Sequence, residues 1–185
     1  MSEIELNEQV SLRPIHPDNH AEHFALMKRV YPPAFNYLWP DNGTWYVEQT
    51  HGKTALLADL AEPDAPYQHV YFKNKLIGIY RLKLNSINPD FPDEPALKLD
   101  RLYLDDTIRN HGIGSLLIDH AKVETLKFGK QLLWLERMGT NDATIGFYYK
   151  HGFVDGGQFR LPFELMYPHF RGMYRIAWRV NGTLG

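Results

Sequence analysis

The chain has 185 residues, 44% of them hydrophobic and 23% charged, with a formal net charge of −2 and no cysteine. That is enough for one domain with a core, and it excludes disulfides, cysteine nucleophiles and thiolate metal sites. The charge balance argues against a protein that works by neutralising a nucleic-acid backbone, and no apolar run approaches the roughly 20 residues that span a bilayer. The first residues are acidic and lack the basic and apolar regions of a signal peptide. The expectation is therefore a cytoplasmic protein with neither a nucleic-acid nor a membrane partner.

Val10–Arg13 reads as a first strand. Pro17-Asp18 opens a helix with Asp18 as its N-cap; Phe24, Met27, Lys28 and Tyr31 follow at helical spacing, and Pro32-Pro33 is expected to stop the run. Short helices are predicted from Trp45 to Gly52 and from Thr54 to Ala61. Tyr67–Phe72 and Leu76–Leu84 flank Lys73-Asn74-Lys75 as a hairpin. A proline-rich loop, Asn88 to Pro95, leads into a strand over Ala96–Leu104. A helix is expected from Gly112 to Phe128, with Ile113, Leu116, Leu117 and Ala121 on one face. Leu132–Leu135 is a short apolar strand. Asn141 to His151 is a helix with Asn141 as N-cap and Gly152 just past its end. Phe153–Phe159 and Arg171–Val180 close the chain as strands. The order βααβββαβαββ implies an α/β (α+β) mixed sheet with helices packed on it, without repeat or linker, as a single domain over 1–185.

The stretch Arg109-Asn110-His111-Gly112-Ile113-Gly114 stands between a strand and a helix. Glycines at a helix entrance let several backbone N–H groups converge with no side chain in the way, which binds anions and phosphate above all. Arg109 adds a fixed positive charge. A dinucleotide fold would use two such glycines, with Glu136 lying 22 residues beyond Gly114 as a ribose acid. But Leu117 occupies the place of the third glycine, and seven residues separate Leu104 from Gly112, where a dinucleotide loop follows its strand almost at once. A helix that merely begins with glycines is the plainer reading.

This loop resembles the pyrophosphate loop of the GNAT family of N-acetyltransferases, whose pattern is Gln or Arg, two variable residues, Gly, any residue, Gly or Ala. About thirty residues on, Asn141-Asp-Ala-Thr144-Ile145-Gly-Phe147-Tyr148-Tyr149-Lys150-His-Gly152-Phe153 is similar to the family's second signature. The resemblance covers Leu99 to Phe153. A weaker likeness, through Leu99-Asp100-Arg101-Leu102-Tyr103-Leu104, Tyr46-Val47-Glu48, Leu76-Ile77-Gly78 and Arg171-Gly172-Met173, is to bacterial spermidine/spermine acetyltransferases. Asp100 stands where those enzymes carry glutamate.

The resemblance implies helices on both faces of a mostly antiparallel twisted sheet, and acetyl-coenzyme A as co-substrate with no metal. Its pyrophosphate would lie on Arg109, Asn110, His111, Gly112, Ile113, Gly114 and Ser115. Its pantetheine arm would pair with the backbone of Leu102, Tyr103 and Leu104 like an added strand. Asn141, Phe147, Tyr148 and Lys150 would complete the cofactor site. A backbone N–H would polarise the thioester, and Tyr148 would protonate the departing thiolate, unless it only packs. An alkylamine with a pKa near 10 must lose a proton before it attacks. Asp100 is the first base by position, with Glu136 and Glu48 as alternatives; the plain reading of Asp100 is a carboxylate paired with Arg101 or Lys98.

Tyr31, Phe35, Tyr37, Trp39, Trp45 and Tyr46 fall in the region that in this family walls the acceptor site. They would either hold a cation together with Asp41 and Glu48 or pack as core. The site residues assigned to the acceptor are Tyr37, Trp39, Glu48 and Glu136. Tyr149 falls on the other helix face, as a surface or substrate-side aromatic. His16, His20 and His23 are expected on a solvated helix face. The acceptor is expected to be a primary amine of a small molecule, polyamine-like as first choice. A protein N-terminus, an antibiotic amine, or a non-catalytic acyl-coenzyme A sensor on the same fold are the alternatives. An edge strand near the C-terminus would permit a homodimer.

Overall fold

The computed structural model describes residues 2–140 and 142–180. They form two compact units: residues up to Leu82 with Arg101–Leu116, and Lys83–Asp100 with the residues from Leu117 on. No helix among the described residues is long and apolar enough to cross a membrane.

In the first unit, β1 (Ile4–Glu5), β2 (Val10–Pro14), β3 (Tyr67–Phe72) and β4 (Lys75–Lys83) run antiparallel in succession, and β4 is followed in the strand order by β5 (Ala96–Leu104). Leu12 lies opposite Val70, and Val70 opposite Gly78. The β3–β4 turn is tighter than its sequence suggests. Phe72 pairs with Lys75, and Lys73 and Asn74 alone turn the chain, with φ of 50° and 61°. Two central residues of positive φ match the right-handed twist of the strands they join.

Three helices, α1 (His20–Phe35), α2 (Thr44–His51) and α3 (Lys53–Ala61), separate β2 from β3. All three helical runs are expected from the sequence, although the order βααβββαβαββ counts only two of them, and β1 is an additional strand. Two expectations fail in α1. Asp18 is not its cap: residues 17–19 form a 3-10 turn, and the Asn19 side chain accepts the N–H of His16 at 2.8 Å. Nor do the prolines end it, since Pro32 and Pro33 lie inside the helix. They cancel two donors. The buried stripe of His23, Leu26, Met27, Val30 and Tyr31 still carries the turn onward to Phe35, whose ring stacks on Tyr31 at 5.0 Å. That stripe also corrects the reading of His23, which is buried and not solvated. Arg81 of β4, 1% exposed, meets Asp59 at 3.1 Å and Glu62 at 2.7 Å; Asp59 also holds Arg101 of β5.

In the second unit the strand order is β5, β6 (Leu132–Met138), β8 (Gly172–Arg179), β7 (Val154–Arg160). The β5–β6 pair is parallel, with Ala96 opposite Leu132; β6–β8 and β7–β8 are antiparallel. The mixed-sheet α/β class is therefore as expected. β6 runs three residues beyond its apolar core, because Glu136, Arg137 and Met138 find partners in Arg175, Tyr174 and Met173. Ala96, Leu132, Trp134 and Ala177 form a buried cluster capped by Phe91. The helices are α4 (Ile113–Lys127) and α5 (Asp142–Lys150).

The proline-rich loop is pinned at Asp90. Its carboxylate accepts Arg175 Nη2 at 2.9 Å and the N–H of Gly157 at 2.7 Å. β7 is bulged there, its register shifting between Asp155 and Gln158. A Cβ on Gly157 would lie 2.3 Å from an Asp90 oxygen, so the loop comes this near only because the position is glycine.

Gly78 of β4 is a second close approach. A Cβ there would meet the carbonyl oxygen of Tyr103 at 2.3 Å and the Cα of Leu104 at 3.2 Å. Backbone cannot swing aside as a side-chain tip does. Gly78→Ala is therefore expected to cost about 2–3 kcal/mol, at the high end of overpacking effects, measured as a lowered midpoint in urea with an unchanged slope.

Candidate functional site

The glycine loop begins where β5 ends. The N–H of Asp105 donates to the carbonyl of Ile77 at 2.7 Å. The Asp105 carboxylate accepts the N–H of Thr107 at 3.0 Å, its hydroxyl at 2.6 Å, and Arg29 Nε at 3.1 Å. These donors hold the carboxyl below its ordinary range, against the opposing effect of burial. A 3-10 turn over residues 106–108 follows, with Asp105 as its cap.

The chain then takes positive φ twice, at Asn110 (65°) and Gly112 (73°), with His111 between them. Backbone of this kind turns successive N–H groups toward one concave side. α4 starts at Ile113, which is buried, and Leu116 N–H donates to Gly112 O at 3.0 Å. The first N–H groups of the helix have no partner within it. Apart from its chain neighbours, nothing among the described residues lies within 4 Å of where a Cβ of Gly112 would stand. An open concavity, a helix N-terminus and a left-handed glycine suit a pyrophosphate.

Side chains support the loop from outside. Arg109 is exposed and pairs with Asp106 one turn back. His111 Nδ1 donates to the carbonyls of Ile108 at 3.1 Å and Arg109 at 3.0 Å, and the ring stands edge-on to Phe72. Gly114 and Ser115 lie in the first turn of α4.

Leu102, Tyr103 and Leu104 are half-buried in the last part of β5. Tyr103 and Tyr46 hydroxyls are 3.3 Å apart, and burial pushes the Tyr103 phenol well up. The aromatic group is packed: Tyr31 stacks on Tyr46 at 4.6 Å, and Trp39 Nε1 donates to Tyr31 Oη at 2.8 Å. Trp39 is 2% exposed, whereas Tyr37 is 38% exposed. Asp41 accepts the N–H groups of Gly43 and Trp45, which commits it to starting α2. Glu48 is exposed and lines a shallow groove with Phe24, Lys28, Pro32 and Val47.

In the second unit, Lys98 Nζ lies 3.0 Å from Glu136 and 3.6 Å from Asp100, over the ring of Trp134. The pairing of Asp100 is thus with Lys98; Arg101 goes to Asp59. Lys98 is one of the two partners expected for Asp100; its contact with Glu136 as well is not foreseen by the sequence. The signal for the Asp100 contact is that residues 98 and 100 share one face of a strand. Tyr148 is half-buried on α5, edge-on to Phe153, and its hydroxyl makes no hydrogen bond among the described residues. Burial pushes its pKa up to about 12. Phe147 packs on His151 at 4.8 Å, Lys150 is exposed, and Tyr149 donates to Asp155 at 2.6 Å. Asn141 lies outside the described residues. Among the described residues no group of three or more His, Cys, Asp or Glu is arranged to hold a metal ion.

Comparison with known proteins bears on this arrangement. The model of the Acetyltransferase (GNAT) family matches residues 24–153. An uncharacterized N-acetyltransferase in the pepI 3′ region of Lactobacillus delbrueckii subsp. lactis is 22% identical over 113 residues. The match spans 61% of this chain and 65%, less than two thirds, of that relative. Among solved structures, the PaiA N-acetyltransferase of Thermoplasma acidophilum in complex with coenzyme A superposes with a TM-score of 0.67 at 18% identity, over 92% of this chain and 98% of that one. An acetyltransferase that modifies the N-terminal serine of ribosomal protein L7/L12 from Salmonella typhimurium gives 0.70 at 16%, over 96% and 99%. The microcin C7 self-immunity acetyltransferase MccE, in complex with acetyl-CoA and AMP, gives 0.69 at 14%, over 97% of both chains. At these identities the structural likeness speaks for the fold.

A branched side chain at Gly112 would strain the left-handed backbone and fill the concavity. Gly112→Val is expected to weaken coenzyme A binding at least a hundredfold by calorimetry, with the far-ultraviolet circular dichroism unchanged.

Proposed function

The chain belongs to the GNAT acetyltransferase family, and on that premise we propose that it transfers the acetyl group of acetyl-coenzyme A to a primary amine by direct attack in a ternary complex. The observation that carries this reading is the loop from Asp105 to Ile113, preformed and open, with two left-handed residues ahead of a helix start. Its N–H groups would bind the pyrophosphate, and Gly112 would keep the approach clear. Leu102, Tyr103 and Leu104 would offer backbone groups to the pantetheine amides. An N–H among them would hold the thioester oxygen as negative charge develops on it.

In this reaction nitrogen forms a bond to the acetyl carbon, the carbon–sulfur bond breaks, and the sulfur leaves with the electron pair. The amine gives up a proton to a carboxylate or through water, and the thiolate gains one. Tyr148 is the proposed donor. With its pKa raised to about 12, the phenol stays protonated at neutral pH. Among the described residues its hydroxyl makes no hydrogen bond, whereas that of Tyr149 is tied to Asp155. Asp100 is the proposed base, with Glu136 and Glu48 as alternatives. Lys98 holds Asp100 and Glu136 together and would offset the repulsion between them.

The acceptor we infer is a small cationic amine, a polyamine as first choice, on the likeness of the Leu99–Leu104 strand to that of spermidine/spermine acetyltransferases. The same Lys98 contact favours one second reading. A carboxylate tied to lysine is a weaker base than a free one, and a chain of this fold could bind acyl-coenzyme A without turning it over. Thiol release from acetyl-coenzyme A with a panel of spermidine, spermine, aminoglycosides, amino acids and N-terminal peptides separates the two. An enzyme releases thiol with at least one acceptor; a sensor saturates with ligand and releases none.

Removal of the Tyr148 hydroxyl takes away the proposed acid and little else. Tyr148→Phe is expected to lower kcat about 10²-fold, within the range of general acid catalysis. The Kd for acetyl-coenzyme A should stay within about twofold, since the ring remains to pack. Unchanged kcat would remove Tyr148 from the acid role.

A further inference from the structure

Three histidines on three elements of the first unit meet in its interior. His23 of α1, His51 of α2 and His69 of β3 are 0%, 0% and 2% exposed. The His23 and His51 rings are 5.4 Å apart, and His23 stacks on His69 at 5.6 Å. His23 Nε2 lies 3.3 Å from His51 Nδ1 and 3.4 Å from the Tyr67 hydroxyl. Of the four other ring nitrogens, His23 Nδ1, His51 Nε2 and His69 Nε2 are buried with no hydrogen-bond partner among the described residues.

We propose that this trio is an acid-sensitive latch, which holds α1 and α2 against β3 while the imidazoles are neutral and releases them on protonation. In a hydrogen bond between two neutral imidazoles one nitrogen donates and the other accepts. A third proton must go to a ring nitrogen that faces no polar partner among the described residues, and it leaves a cation in a dry interior.

The charged surroundings do not compensate. From β5, Arg101 donates to the Tyr67 hydroxyl at 3.3 Å. From β4, the Arg81 guanidinium lies over the same Tyr67 ring. The carboxylates at hand, Asp59 of α3 and Glu62 just beyond it, already pair with these two arginines. Tyr103 of β5 and Tyr46 of α2 face His51 edge-on, and Tyr71 faces His69. Those rings bring no carboxylate to the trio. An added imidazolium would therefore face arginine on one side and neutral rings on the other.

The sign follows. Burial lowers the pKa of His23 to about 3 and of His69 to about 4, and that of His51 well below its usual value. The open form therefore binds more protons than the closed form once the pH falls below the ordinary histidine value near 6.5. Each imidazole makes opening up to tenfold more favourable per pH unit, so three acting together approach a thousandfold. Between about pH 6.5 and 5 ordinary carboxylates do not yet titrate, which isolates the histidine response.

Hydrogen exchange of the full chain from pH 7.5 to 5, corrected for intrinsic exchange rates, tests the latch. Opening of amides in α1 and α2 is expected to rise by more than tenfold per pH unit below pH 6, while amides of β6 and β8 change little. In the variant with His23→Gln, His51→Gln and His69→Gln together, this pH dependence should disappear. The half-exposed His20→Gln should behave as the parent. If the triple variant does not fold, the imidazole resonances of the unmodified protein decide. Three rings that stay neutral until α1 and α2 open support the latch. Ordinary titration of any of the three in the closed protein, or acid-independent exchange of α1 and α2, overturns it.

Discussion

One backbone hydrogen bond, from Asp105 N–H to the Ile77 carbonyl, fixes where β5 stops and the glycine loop begins. Residue 78, next along β4, is glycine and lets the backbone of Tyr103 and Leu104 come close. The Asp105 carboxylate then spends its lone pairs on Thr107 and Arg29. With the turn over residues 106–108 locked in this way, the left-handed backbone at Asn110 and Gly112 starts from a fixed point. An anion site made of N–H groups depends on their mutual aim, and that aim is set before any ligand arrives.

Much of this was legible because it is local. The extents of β3 and β5 follow from apolar runs bounded by polar turns. The loop was legible because two glycines one residue apart at a helix start have few other uses. What was hidden depends on partners distant in sequence. His23 reads as solvated when α1 is taken by Phe24, Met27 and Lys28, but the stripe that packs is rotated toward Leu26 and Val30. The prolines read as a stop because propensity cannot anticipate the Tyr31–Phe35 stack. Trp39 and Asp41 fall in a region that reads either as a cation-holding wall or as packing; one is locked to Tyr31 and the other starts α2. The two acids considered as bases look independent in sequence and share a lysine in space.

The polar groups of the interior divide into two kinds. Arg81 and Arg101 are paired with Asp59 and Glu62, so these charges are buried with a countercharge fixed beside them, even though Arg81 Nε finds no hydrogen-bond partner among the described residues. The histidines are buried without that provision. They are compatible with folding only as neutral rings, where they pack as flat, weakly polar aromatics.

The contact between Asp90 and Gly157 has a further consequence at the margin of the second unit. β7 is the last strand in its order, and a last strand offers unpaired backbone to any extended chain that drifts against it. Here the ladder is interrupted between Asp155 and Gln158, one N–H is already taken by a carboxylate, and Arg175 anchors that carboxylate bidentately. A second chain adding alongside would find matched spacing for only two or three residues on either side of the break. The proline-rich loop, by holding that bulge through Asp90, thus leaves the strand an irregular template for a further strand.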